Sequence, residues 1–377
     1  MFQTLDTFDT TFSADSVEWC TAEGFEDIFV CGTYQLLPKA NENLIACNNL
    51  ERNKRLGRIY LFRVISDKNL LLKLLQQLDT VAILDMKWAH IKCFDNKILL
   101  AVVNANGFLQ IYELMNKEEN LYLRNIYLKL ISEILVNERK DFALALSLDW
   151  STGKRNDNNN SEVKITVSDS QGFVSLFRLI ENGIEKITLW PAHEYEAWIT
   201  AFDYWNTNII YTGGDDSKFL CFDTRIGTTS PTNINLSHNA GVTSLHCNGK
   251  KEFCLVSGSY DELLRIWDLR NLRKPVTAIN LHGGIWRLKW DPYESKHLLA
   301  ACMYNGFFIV NCNDLKIPKI IAEYKEHKSI AYGCDWSYLK KHCDPKKKSL
   351  INENVMLVGT CSFYDHVLKL SSVTFKN

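Results

Sequence analysis

The sequence predicts an all-β fold, a single seven-bladed β-propeller, from three observations. A short turn-and-strand signature recurs seven times. The segments between its copies alternate apolar and polar residues as half-buried strands do. A spare alternating segment at the amino terminus is available to complete the last sheet.

The clearest copy is Ser257-Gly258-Ser259-Tyr260-Asp261-Glu262-Leu263-Leu264-Arg265-Ile266-Trp267-Asp268. It reads as a strand end, an Asp-centred turn and an alternating strand closing on Trp-Asp, the hairpin of a WD40-type repeat. Asp216 stands seven residues before Asp223 in a second copy, just as Asp261 stands before Asp268. The same spacing pairs Leu56 with Arg63, Asn106 with Glu113, Gln171 with Arg178, Asn305 with Cys312 and Asp365 with Ser372. Closing positions therefore fall at 63, 113, 178, 223, 268, 312 and 372, close to the roughly 40–45 residues of a WD unit once insertions are allowed.

Strands precede the turns at Ile98 to Val103, Val163 to Val167, Phe253 to Val256 and Val355 to Val358. One blade cannot bury both of its faces, so residues 1–377 read as one domain in which seven stacked blades share a continuous core. Exposed insertions are expected at about 116–140, 153–162 and 340–354. The first also carries an apolar pattern that fits a short helix or an outer strand. Little chain follows Ser372, so Phe2 to Phe12 is expected to supply the outer strand of the seventh blade and close the ring.

Composition narrows the function classes. Lys and Arg number 43 against 44 Asp and Glu, which lacks the basic footprint of a general nucleic-acid binder, and Lys346-Lys347-Lys348 reads as a solvated loop. No signal core or membrane-length apolar run occurs. The 12 cysteines include no Cys-x-x-Cys pair, which points to reduced thiols in a cytoplasmic protein and to no metal site. His193, His238 and His282 each lie 23 residues before Asp216, Asp261 and Asn305, whereas His327 precedes Asp365 by 38. His193 and His238 are expected as structural partners of their turn aspartates. His282 faces a neutral Asn305, and His366, beside Asp365, stands outside the pattern.

The segment Gly359-Thr360-Cys361-Ser362-Phe363-Tyr364-Asp365-His366-Val367-Leu368-Lys369-Leu370 resembles the diphthine methyl ester hydrolases, WD-repeat enzymes of diphthamide synthesis. Gly283 to Pro292, Leu298 to Met303 with Gly306-Phe307, and Tyr332 to Ser337 resemble the same family in the same order, as do Gly213 to Asp216 and Ser257 to Asn271. The resemblance is dense over the last four blades and general over the first three. It implies hydrolysis of the methyl ester of methylated diphthine, a modified histidine of translation elongation factor 2, with release of methanol. It also implies no cofactor and action as a monomer.

Ester cleavage needs a nucleophile, a base and donors for the oxyanion. No Gly-x-Ser-x-Gly elbow occurs. Within the family-like segments the catalytic candidates are His366 as general base acting on water or on Ser362 or Cys361, and Asp365. Arg287 or backbone amides would face the oxyanion. Tyr260, Glu262, Trp286, Arg287, Trp198 and His282 are the candidates for binding substrate, the aromatics because a trimethylammonium group sits well over Trp and Tyr faces. The competing class is a non-catalytic WD scaffold for complex assembly or trafficking.

Overall fold

Seven four-stranded antiparallel sheets form the propeller in the computed structural model, which describes residues 1–37, 55–66, 69–116, 125–140, 143–153, 162–339 and 355–375. Blades 1 to 6 follow the chain outward from the inner strands Ser13–Trp19, Ile83–Trp88, Ala145–Trp150, Ile199–Phe202, Val242–Cys247 and Arg287–Trp290. Blade 7 contains Ala331–Trp336, Val355–Ser362 and Val367–Thr374, and takes its outer strand, Phe2–Asp9, from the amino terminus. Phe2 pairs with Val373 and Asp9 with Val367, so the first and last segments of the chain close the ring as expected. This covers an edge that would otherwise offer unpaired backbone groups.

Ile126–Leu135 forms the outer strand of blade 2, one of the two forms its apolar pattern allows. Residues 154–161 and 340–354, including the lysine run, lie outside the described residues. Leu56, expected at the turn of the first copy, lies instead inside Arg55–Ser66, opposite Val81. The pairing in blade 1 runs past the common repeat to Leu36 opposite Arg55, and residues 38–54 lie outside those described.

The inner strands touch one another all round the axis. Their carboxylates and indoles stitch the blades together. Asp335 accepts from the Trp19 amide at 2.7 Å, Asp85 from Leu148 at 3.1 Å and Asp149 from Phe202 at 2.9 Å, each across a blade boundary. In the opposite direction the indoles of Trp88, Trp150, Trp290 and Trp336 donate to carbonyls of Glu18, Lys87, His246 and Lys289 in the preceding blade. A hydrogen bond to a charged acceptor contributes on the order of 2 kcal/mol, so these contacts fix blade-to-blade spacing as well as strength. The ten described cysteines are buried and free. Among the described residues no helix is long and apolar enough to cross a membrane.

Candidate active site

The turns between second and third strands share a backbone device. Gly107, Gly172, Ser217, Glu262, Gly306 and His366 occupy equivalent positions with φ between 58° and 86°. Two of the sequence candidates, Glu262 and His366, therefore stand where the turn needs a left-handed residue, as glycine does at no steric cost in three blades. Neither lines the axial cavity described below. Because a left-handed non-glycine residue costs about 1–3 kcal/mol and glycine returns part of that as chain entropy, His366→Gly is expected to stabilise the protein by about 1 kcal/mol in a thermal melt.

The remaining candidates of the last turn are enclosed. Cys361 is fully buried beside Cys31, and burial pushes its thiol far above the usual range, which removes the thiolate a nucleophile needs. Ser362 is equally buried. It donates to Asp365 Oδ1 at 2.5 Å and accepts from His327 Nδ1 at 2.5 Å, while His327 Nε2 bonds Thr360 Oγ1 at 2.9 Å. This is a structural relay: the carboxylate meets the serine instead of orienting the imidazole, and burial depresses His327 to about 4. His327 is thus the histidine of blade 7 that spacing alone did not pair.

The other histidines divide. His193 bonds Asp216 at 2.8 Å and Thr212 at 2.8 Å, as expected. His238 reaches Ser257 at 2.8 Å, and Arg265 takes Asp261 in its place, with contacts of 2.7 and 3.0 Å. His282 is exposed in a left-handed conformation, while Asn305 donates to the Leu281 carbonyl. It does not line the cavity.

What the structure does bring together is a collar at the mouth of the axis. Counting back four residues from the residue that closes each inner strand, at 19, 88, 150, 202, 247, 290 and 336, gives Asp15, Leu84, Leu146, Trp198, Thr243, Trp286 and Tyr332. All seven line one cavity of about 150 Å³, joined by Tyr260, Arg287 and Met303. Pairing between first and second strands breaks at Asp15, Leu84, Leu146, Thr243 and Tyr332, and such bulges turn a side chain out of its regular alternation. Trp198 and Trp286 stand just before their inner strands.

Four aromatic rings form one wall of the cavity. Trp286 is their hub, with centroids 5.7 Å from Trp198, 6.1 Å from Tyr260 and 4.6 Å from Tyr332. Trp198 is anchored by its indole N–H to Asp215 at 2.9 Å. The Tyr260 ring enters between Gly241 and Gly284, where added Cβ atoms would come within 3.1 and 3.3 Å of it. Two of the lining residues each hold a buried polar atom without a partner: Asp15 Oδ1 and Trp286 Nε1.

Below the collar the axis is filled with buried charge. Arg287 lies 3.3 Å from Asp85, which Lys87 also holds at 2.8 Å. Burial opposes ionisation of Asp85, but the two cations outweigh it and keep its carboxyl below the usual value. Asp15 goes the other way. Burial raises it well above the usual range, Arg287 opposes the rise and Asp85 adds to it. Burial also raises Asp149 to about 6. Sequence reasoning missed Asp15 and Tyr332 as collar residues, although spacing from the closing tryptophans marks both.

Fold and cavity together define a WD-repeat propeller whose axis ends in an aromatic, carboxylate-bearing cavity. The "WD domain, G-beta repeat" family model matches residues 230–268. A chain of the solved "Crystal Structure of Mitotic Checkpoint Complex" superposes with a TM-score of 0.66 over 100% of this chain and 94% of that one, at 15% identity, a likeness of fold alone. Curated relatives are closer. "Diphthine methyltransferase" of Mus musculus is 40% identical over 93% of this chain and 73% of its own, and that of Homo sapiens 38% over 89% and 75%. The "Diphthine methyltransferase homolog" of Dictyostelium discoideum is 35% identical over 95% and 96%. The chain belongs to the diphthine methyltransferase family.

Proposed function

We propose that this protein acts in diphthamide biosynthesis in the cytoplasm, hydrolysing the methyl ester of methylated diphthine on elongation factor 2 to diphthine and methanol. The observation that carries the reading is the collar: four aromatic rings beside a buried carboxylate and an arginine. A trimethylammonium group gains about 2 kcal/mol or more over desolvated aromatic faces, and Trp198, Tyr260, Trp286 and Tyr332 offer such faces within one small volume.

The relatives' name speaks of methyl transfer, whereas hydrolysis fits the cavity better. Sites for drug-sized ligands run to about 300–1,000 Å³, and a cavity of about 150 Å³ suits a small methyl ester and a water better than a nucleoside-bearing methyl donor. Water is the nucleophile in this reading, because Cys361 and Ser362 are sealed inside blade 7. Arg287 lines the cavity as a fixed cation facing the developing oxyanion. On the same face Tyr304 and Tyr364 are 86% and 68% exposed, aromatic anchors suited to docking a large protein substrate.

The test is mass spectrometry of methylated elongation factor 2 after incubation with the purified protein alone. Loss of the mass of one methylene from the modified histidine supports the reading. An unchanged mass rejects it in favour of a scaffold.

A further inference from the structure

We propose that Asp15 is the catalytic base of the collar. The assignment rests on the ester-hydrolysis reading and names the residue that performs it. Asp15 is the one carboxylate among the seven collar positions, and it sits at a bulge where the Ala14–Thr33 and Ser16–Gly32 pairings leave it out of register. The backbone of blade 7 closes on the carbonyl side of that bulge: a Cβ on Gly333 would meet Asp15 O at 2.8 Å.

The other axial carboxylates have structural duties. Asp85, Asp149 and Asp335 each accept a backbone N–H from the next blade, and Glu18 grips Lys289. Asp15 lines the cavity, and its Oδ1 is buried without a partner. Burying an acceptor that way is costly unless something arriving in the cavity completes it, and a water held there is what an ester hydrolase needs. Trp286 Nε1, the orphan of a second lining residue, is a donor suited to the carbonyl oxygen. The charged and titratable groups that face Asp15 are Arg287 from the inner strand of blade 6, Asp85 from that of blade 2, Tyr332 from blade 7 and Cys361 behind it. Burial raises the carboxyl well above its ordinary range, Arg287 opposes the rise and Asp85 adds to it, and a carboxylate so raised is a stronger base. A bound quaternary ammonium favours its ionised form.

The step balances without a co-reactant. The water oxygen bonds to the ester carbonyl carbon as its proton passes to Asp15. The carbon–methoxy bond then breaks, and the same proton goes to the methoxide, leaving methanol and a carboxylic acid.

The decisive variant is Asp15→Asn, assayed for methanol release and for binding of methylated elongation factor 2. A kcat lower by about 100- to 10,000-fold with binding retained, and partial recovery in Asp15→Glu, is expected. Turnover near that of the wild type overturns the assignment. So does a loss confined to KM, because that marks Asp15 as a counter-ion only. If Asp15→Asn does not fold, the wild-type pH profile decides. An ascending limb of kcat/KM set by a group well above 3.8, the ordinary aspartate value, supports the base, and its absence overturns it. A wild-type protein that releases no methanol overturns the hydrolase reading itself, and this assignment with it.

Discussion

Replacing Trp286 with alanine is expected to lower kcat/KM for methylated elongation factor 2 by roughly 30-fold, mainly through KM, since about 2 kcal/mol of cation–π attraction is removed. Trp286 is the ring that touches the other three, so its loss opens the wall at its centre. Trp286→Phe separates two contributions. It keeps an aromatic face but deletes the unpartnered N–H, so KM should move little while kcat falls, by up to about 100-fold if that donor meets the oxyanion. Steady-state kinetics of both variants check this, and an unchanged KM in Trp286→Ala would place the ammonium elsewhere.

Lys289→Met should have the largest effect on stability, about 3–5 kcal/mol in a denaturant melt above about pH 8, where it leaves an ionised, buried Glu18 without its cation. Lys289 in blade 6 holds Glu18 of blade 1 at 2.6 and 2.7 Å and lies 3.9 Å from Asp335 of blade 7, so one ammonium ties three blades across the seam where the ring closes. The sign with pH follows from Glu18, which burial raises from 4.5 to about 8 even with Lys289 beside it. Below pH 4.5 the carboxyl is neutral in both folded and unfolded chains, and the variant is penalised least. The deficit grows as pH rises through about 8, where folding must hold an ionised carboxylate that the unfolded chain solvates freely. A deficit that instead shrank on raising the pH would contradict this picture.

The fold was legible because turn chemistry is local. Asp216, Asp261 and Asp365 announce hairpins through a seven-residue spacing that no insertion interrupts, and the alternation of Phe2–Asp9 marked a strand in search of a sheet. The site was legible only in part. Trp198, Tyr260, Trp286 and Arg287 were recognisable from their chemistry and do converge. Cys361, Ser362, Asp365 and His366 carry the same kinds of group, yet Cys361 is buried in the core, Ser362 and Asp365 are absorbed in the relay with His327, and His366 in turn geometry.

Two misses have physical causes. His327 lies 38 residues from Asp365, not 23, because residues 340–354 lengthen the path through the sequence without lengthening the distance in space. Asp15 lies on a first strand, ahead of the turns between second and third strands that carry the repeat signature, so the seven-residue spacing does not mark it. The inner strands are a better ruler. Trp19, Trp88, Trp150, Trp290 and Trp336 mark the point from which the collar is counted in five of the seven blades.

The central claim, hydrolysis at the axial collar, is tested most directly by following the oxygen in water labelled with heavy oxygen, with purified protein and methylated elongation factor 2 and no methyl donor. One heavy oxygen is expected in the product carboxylate, with methanol carrying ordinary oxygen, and both should form about 100- to 10,000-fold more slowly in Asp15→Asn. A factor that keeps its ester under these conditions, or that gains a methyl group when a donor is supplied, would contradict it.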